Sequence, residues 1–87
     1  MYAIWKFPIE EVADQQVSAP AGARPLCVGL DPGGTPCLWC LVDTERAPEP
    51  LTVCVFGTGE SVGRVSRSSY VGSIVWGSIV MHVFAGR

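Results

Sequence analysis

The hydrophobic positions of this chain fall into short runs, and each run is closed by glycine, proline or small polar residues. Short apolar runs between frequent breakers are typical of β-strands in an all-β domain. The pattern predicts a single all-β domain over residues 1–87, built as a small antiparallel sandwich or partly open barrel of six to seven short strands. The predicted strands are 2–7, 14–18, 25–30, 36–43, 51–56, 70–76 and 79–85.

The densest apolar run is 36–43, which has the sequence PCLWCLVD. Its length and nearly continuous apolar character predict a central strand buried on both faces, with Trp39 in the core. The turn sequence Asp31-Pro32-Gly33-Gly34 comes shortly before it. We therefore expect strands 25–30 and 36–43 to form an antiparallel hairpin.

The C-terminal segment predicts a second hairpin. Two apolar runs flank the pair Gly77-Ser78, which suits a type II′ turn. A two-residue turn fixes the register of the strands, so Ser73 should lie opposite His82, and Tyr70 opposite Ala85. Both faces of this hairpin are apolar enough to be covered by the rest of the fold.

Composition excludes several classes of protein. A hydrophobic fraction of 48% and a charged fraction of 16% exclude a disordered chain. The formal net charge of -2 indicates neither a nucleic-acid-binding surface nor an acidic mimic of one. No apolar stretch has the length of a membrane span, and residues 1–6 lack the features of a secretory signal. We expect a cytoplasmic protein with no cofactor and no membrane partner.

Four cysteines lie inside the apolar runs, and in a cytoplasmic protein they are expected to be reduced. Cys37 and Cys40 have the spacing of a metal-binding or redox pair. On a strand, however, residues three apart point to opposite faces, so the two thiols are poorly placed to bind one ion. A redox motif would also need a helix N-terminus, and none is predicted here. Packing in the core is the favoured role of the cysteines, and no metal-binding residue is assigned.

The segment 60–69 is the longest one without periodicity, and together with the preceding Gly57-Thr58-Gly59 it forms the candidate ligand-binding loop, 57–69. Gly57-Thr58-Gly59 and Glu60 offer backbone N–H groups to a phosphate, with Arg64 and Arg67 adding positive charge. The loop lacks the glycine spacing, the lysine and the following helix of a phosphate-binding loop. A strand-terminating turn is the favoured interpretation, although small scaffolds often carry function on such loops.

His82 is the only histidine, and its expected neighbour Ser73 raises the hypothesis of a Ser–His hydrolase. A hydrolase also needs an orienting acid and an oxyanion hole, and neither has a sequence signature here. A structural histidine is favoured, and no catalytic residue is assigned. Trp76, beside the tight turn, is a candidate contact residue for a dimer or a partner, with Trp5 as the second choice. The alternative, in which all three tryptophans, Trp39 included, close a small core, stays open.

The order of these landmarks resembles a family of short uncharacterised proteins of tailed bacteriophages and prophages. The motifs that carry the resemblance are Ile4-Trp5-Lys6-Phe7-Pro8, Pro20-Ala21-Gly22-Ala23, Leu38 to Asp43, Gly57-Thr58-Gly59 and His82-Val83-Phe84. They extend over nearly the whole chain. The family loop often reads Gly-Thr-Gly-His, whereas this chain has Glu60, so no role of that histidine is carried over. The resemblance implies a phage-derived context and no assigned activity.

These observations favour a non-enzymatic accessory protein that binds itself or a protein of a bacterial host. An inhibitor of host defence belongs to the same class, on the strength of the phage context alone. The alternative is an oligomeric protein that binds or sequesters a small nucleotide-like ligand through the 57–69 loop. An enzyme that uses Ser73 and His82 is the least favoured hypothesis.

Overall fold

A computed structural model describes residues 1–63, 65 and 69–86. Within these residues the chain forms seven β-strands, numbered here in chain order. The strands are β1 (Tyr2–Pro8), β2 (Gln15–Pro20), β3 (Arg24–Leu30), β4 (Pro36–Asp43), β5 (Pro48–Gly57), β6 (Tyr70–Trp76) and β7 (Ile79–Gly86). The all-β prediction is confirmed. The described residues include no helix that is long and apolar enough to cross a membrane.

The strands form two antiparallel sheets that pack as a sandwich. One sheet has three strands in the order β1-β4-β3, and the other has four in the order β2-β5-β7-β6. In the described part of the chain the sheets do not close into a barrel, although β3 lies alongside β6. Gly72 of β6 permits this close approach, because a Cβ at that position would lie 3.3 Å from Val28 Cγ2.

The core lies between the sheets and is built from alternate residues of the inner strands. The three-stranded sheet contributes Leu38, Cys40 and Val42 of β4, all of which are buried. The four-stranded sheet contributes Leu51, Val53, Val55, Met81, Val83 and Ala85. β4 lies between β1 and β3 and is the central strand of its sheet, as predicted.

The outer face of β4 is less covered than the sequence predicts. Trp39 and Leu41 are only half-buried, so the prediction that β4 is buried on both faces and that Trp39 belongs to the core is wrong. The physical reason is that the four-stranded sheet covers only one side of this three-stranded sheet. The Trp39 indole lies over β3 instead, where a Cβ on Gly29 would be 3.8 Å from its Nε1.

The predicted hairpin between β3 and β4 is confirmed, and Asp31 organises its turn. The Oδ1 atom of Asp31 accepts hydrogen bonds from the N–H groups of Gly33 and Thr35, each at 2.9 Å. The Asp31 N–H in turn donates to the Thr35 carbonyl at 2.9 Å. A single side chain thus satisfies two backbone donors of the turn.

The C-terminal hairpin has the predicted register next to its turn, and Ser73 pairs with His82. Gly77 has a φ of 64°, and Ser78 does not have a positive φ, which is the φ pattern of a type II′ turn.

Further from the turn the predicted register is wrong. A bulge between Tyr70 and Gly72 shifts the pairing, so Tyr70 lies opposite Phe84 and not opposite Ala85. A bulge adds one residue to one strand and bends it. Here the bend occurs in the strand that lies against β3.

β5 begins earlier than predicted, because Pro48 and Pro50 belong to the strand and not to the preceding loop. Among the described residues, β5 pairs with β2 at this end, and its pairing with β7 begins at Thr52. Proline lacks an N–H, so it is confined to positions where the ladder needs no donor, such as the end of a strand.

Candidate functional site

The outer face of the four-stranded sheet carries a connected row of polar side chains. Ser73 and His82 meet across β6 and β7, and Ser73 Oγ is 2.7 Å from His82 Nδ1. The other ring nitrogen of His82, Nε2, is 2.7 Å from Thr58 Oγ1. The hydroxyl of Tyr70 is 2.7 Å from Ser73 Oγ. These four residues, named here the hydroxyl–imidazole row, join the turn after β5 to both strands of the hairpin.

The row satisfies both nitrogens of the His82 ring. A neutral imidazole donates from one nitrogen and accepts at the other, so one hydroxyl accepts a hydrogen bond from the ring while the other donates one to it. In the described part of the chain the hydrogen-bonding partners of the ring are the hydroxyls of Ser73 and Thr58, not a carboxylate. An acid that orients the histidine is what a hydrolytic triad adds to a serine and a histidine. The ring thus has a hydroxyl partner at each nitrogen, and a structural role for His82 stays a prediction.

Aromatic rings extend the row along the same face. The Phe84 ring centre lies 5.4 Å from that of Tyr70 and 6.0 Å from that of Phe56, with interplanar angles of 64° and 73°. These are edge-to-face contacts, which stabilise aromatic pairs beyond simple burial. Phe56 is itself buried. This part of the face is a small packed cluster, which favours rigidity over an open binding site.

The residues predicted to cradle a ligand after β5 do come together, but as a turn. The Glu60 N–H donates to the Gly57 carbonyl at 3.2 Å, and Gly59 has a φ of 89°. The Glu60 side chain folds back on the turn, with Oε1 3.0 Å from the place that a Cβ on Gly57 would occupy. Thr58 is engaged with His82. A carboxylate at this position places negative charge where a phosphate would bind.

Arg64 and Arg67, which were predicted to add positive charge to this loop, lie outside the described residues. A cavity of about 340 Å³ borders the turn, and Glu11 and Glu60 are among the residues that line it. No basic side chain of the described residues lines it. Phosphate binding by the 57–69 loop therefore stays a prediction.

The prediction that the cysteines pack in the core is confirmed for Cys37 and Cys40 and wrong for Cys27, which is exposed on β3, while Cys54 is only half-buried. Cys40 is buried in the core and Cys37 is buried on the opposite face of β4, so the two thiols point apart. Burial raises the pKa of the Cys37 thiol, and the charge of Asp31, with Oδ2 3.9 Å from Sγ, raises it further. Burial likewise raises the pKa of Cys54, which contacts Asp14. Among the described residues no group of three or more His, Cys, Asp or Glu side chains is placed to hold a metal ion.

Exposed apolar side chains gather at the end of the C-terminal hairpin. Trp76, a predicted contact residue, is 39% exposed, and Val75 beside it is 68% exposed. Val80, which pairs with Val75, is also exposed. These three residues are named here the hairpin end. Trp5, the second choice among the tryptophans, is exposed on β1.

Sequence reasoning missed the two valines because both faces of the hairpin were expected to be covered. A usable signal was present, since residues 70–86 contain no Asp, Glu, Lys or Arg. Alternation along the strands places Val75 and Val80 on the face opposite Ile74 and Met81, which belong to the core side. An uncharged hairpin with only one face toward the core leaves apolar side chains in water.

Comparison with curated proteins and with solved structures finds no match to this chain. A family model does match, and it spans residues 1–87. The expectation that the chain is a member of an uncharacterised family is confirmed at that level. The chain belongs to the family described as a domain of unknown function, DUF7352.

Proposed function

We propose that this protein is a non-catalytic interaction protein that binds another protein through the hairpin end. The observation that carries the proposal is the exposure of Val75, Trp76 and Val80 on a hairpin without charged residues. Exposed apolar patches on small domains commonly mark interaction surfaces. Tryptophan is also enriched among the residues that dominate binding energy.

The geometry of the hairpin end indicates the chemistry of the partner. Val75 and Val80 pair on the outer face, whereas Trp76 pairs with Ile79 on the other face, so the end is apolar on both sides. Removing apolar surface from water contributes a favourable free energy of about 25 cal/mol per Å². The indole N–H adds a directional donor at the edge of the contact. The best fit is an apolar groove on a folded protein, with a hydrogen-bond acceptor at its rim.

The biological setting of the proposal rests on the resemblance to phage and prophage proteins. On the strength of that resemblance, the proposed setting is the cytoplasm of a bacterial host, where the protein would act as an accessory protein on a host partner. Inhibition of a host-defence protein belongs to this class of function. Membership of an uncharacterised family is compatible with this setting and adds no activity to it.

The test is a quantitative binding experiment with an identified partner. The full chain is expressed in a bacterial host, the partner that co-purifies in stoichiometric amount is identified and purified, and the affinity is measured by calorimetry. Trp76→Ala and Val75→Lys should each weaken binding by at least about 30-fold, which is the loss of about 2 kcal/mol typical of a dominant contact.

Val12→Lys is the matched control, because Val12 is 43% exposed and lies outside the hairpin. It should bind as the wild type does. The proposal is wrong if no stoichiometric partner is obtained. It is equally wrong if the purified partner binds the hairpin variants and the wild type with the same affinity.

The alternative, a nucleotide-like ligand bound by the 57–69 loop, has weaker support. The folded-back Glu60 carboxylate opposes an anion at the turn. Nucleotide binding by the 57–69 loop therefore stays a prediction from the sequence. Mass spectrometry of the natively purified protein should detect a bound ligand, and an Arg64→Ala/Arg67→Ala double variant should lose it.

A further inference from the structure

We propose that two copies of this chain associate through β1, whose outer edge pairs antiparallel with the same edge of the second copy. In the described residues β1 lies at the margin of its sheet, with β4 as its one neighbouring strand. It exposes apolar side chains, with Ile4 63% exposed and Tyr2 and Trp5 also in contact with water. An edge strand of this kind offers unpaired backbone groups to another strand.

The hydrogen bonds that flank the β1–β4 ladder identify the outward-facing groups. The Thr44 N–H donates to the Met1 carbonyl at 2.8 Å, and the Ile9 N–H donates to the Pro36 carbonyl at 3.0 Å. Hydrogen-bonded pairs alternate along an antiparallel ladder, so the odd-numbered residues of β1 bond to β4 and the even-numbered ones face away. The outward-facing N–H and C=O groups belong to Tyr2, Ile4 and Lys6.

The other sheet edges of the described chain carry features that oppose pairing. β3 and β6 lie against each other, and each contains a register shift. β2 carries the polar side chains of Gln16 and Ser18 and ends at Pro20. β1, in contrast, pairs with β4 in an unbroken register. Its one charged side chain, Lys6, is bonded to Asp31 at 2.8 Å. Bulges, prolines and unpaired charges are the usual protection of an edge, and β1 has none of them before Pro8.

Pro8 selects the register of the pairing. It belongs to the outward-facing, even-numbered series, but it has no N–H, and its ring fills the space where a donor would approach the second strand. A two-fold pairing centred on Trp5 would set Tyr2 against Pro8 of the second copy. A pairing centred on Ile4 leaves Pro8 outside the contact.

The side chains fit the pairing centred on Ile4. Ile4 faces Ile4 of the second copy and Tyr2 faces Lys6, and each of these pairs exchanges two backbone hydrogen bonds. The tyrosine ring covers the aliphatic part of the lysine, whose ammonium group stays bonded to Asp31. On the other face Trp5 lies opposite Ala3, which is small enough to leave room for the indole. The two three-stranded sheets then form one continuous sheet.

This contact uses none of the residues of the hairpin end. It is measured with the purified chain alone, whereas binding through the hairpin end needs a second protein. Either proposal can therefore fail while the other stands.

The first test measures the mass of the untagged full chain by analytical ultracentrifugation over a concentration series. The wild type should rise from the mass of one chain to that of two. Ile4→Lys places like charges opposite each other at the centre of the contact, and it should raise the dissociation constant at least about tenfold. Val12→Lys, which makes the same kind of change at an exposed apolar side chain outside β1, should behave as the wild type. Circular dichroism confirms that each variant is folded.

The second test is specific for the edge and its alternation. Amide hydrogen exchange, resolved by residue with NMR, should slow with rising protein concentration at Tyr2, Ile4 and Lys6. Exchange at Ala3 and Trp5, which bond to β4, should not depend on concentration. A wild-type chain that stays monomeric throughout overturns the proposal. So does a dimer that survives Ile4→Lys, or one that leaves exchange at the even-numbered residues unchanged.

Discussion

The Oδ2 atom of Asp31 lies 2.8 Å from Nζ of Lys6, a residue 25 positions earlier in the chain. The same carboxylate accepts the backbone N–H groups of Gly33 and Thr35 through its other oxygen. One side chain therefore holds the β3–β4 turn in shape and ties it to β1 across the sheet. Lys6, and after it the N–H of Thr35, keep the pKa of the Asp31 carboxyl below its usual range, and Asp31 raises the pKa of Lys6.

Asp31→Asn should lower the free energy of unfolding near neutral pH, and the difference from the wild type should shrink in acid. A carboxyl whose pKa is lower in the folded state stabilises the fold above its unfolded pKa of about 3.9, and that contribution is lost as pH falls through the folded value. Lys6 matters at alkaline pH. Its contribution to the stability of the fold is lost only as pH rises through its raised pKa, above about 10.4. Urea unfolding at several pH values measures both effects.

Asp31→Ala is the companion variant. Asparagine keeps an oxygen for the N–H groups of Gly33 and Thr35, whereas alanine removes that acceptor as well. Alanine should therefore be the more destabilising replacement at every pH. A difference between the wild type and Asp31→Asn that does not change with pH would show that the charge of Asp31 contributes nothing to stability.

Leu38→Ala should cost about 2–5 kcal/mol of unfolding free energy, the usual range for removing a buried leucine side chain. Leu38 is 0% exposed and packs in the core, whereas Leu26 on the neighbouring strand is 45% exposed. Leu26→Ala is thus a control with the same chemical change, and it should cost less than about 1 kcal/mol. Chemical denaturation of both variants measures the difference. Equal losses of unfolding free energy in the two variants would mean that the inner face of β4 does not form the core.

The hairpin turns illustrate what could be predicted from the sequence. The contact between Ser73 and His82 follows from counting outwards from Gly77-Ser78, because a two-residue turn leaves only one register. The bulge at Tyr70 could not be found in this way. It lies in the strand that approaches β3 through Gly72 and Val28, a contact between segments that are far apart in the chain.

The parts of the surface that were missed share one physical cause. A strand sequence shows which residues alternate, but it does not show whether a second sheet covers one face or both. For this reason Trp39 was predicted to lie in the core and Val75 to be covered by the rest of the fold. Trp39 is in fact only half-buried, and Val75 is largely exposed. The Lys6–Asp31 ion pair was not predicted for a related reason. It exists because β1 pairs with β4 beside the β3–β4 turn, and the sequence does not show that pairing.

Cys27 should react first with a maleimide at neutral pH, and Cys37 and Cys40 should react only after unfolding. Cys27 is exposed, whereas Cys37 and Cys40 are buried. Burial also raises the pKa of Cys37, which lowers the fraction of reactive thiolate. Mass spectrometry of the intact and digested protein should show one fast adduct that Cys27→Ser abolishes. Rapid labelling of Cys40 in the folded chain would contradict the packing of β4.

Ser73 should not behave as a nucleophile, although it lies 2.7 Å from His82. A serine becomes reactive when the histidine takes its proton and a carboxylate stabilises the resulting charge on the ring. Here the second ring nitrogen meets the Thr58 hydroxyl, and Ser73 is also engaged by Tyr70. A fluorophosphonate should therefore give no adduct in intact-mass measurements. Ser73→Ala should instead cost about 1 kcal/mol of unfolding free energy, through lost hydrogen bonds that water partly replaces. An adduct on the wild type that disappears in both Ser73→Ala and His82→Gln would restore the hydrolase hypothesis, because a purely structural row cannot produce it.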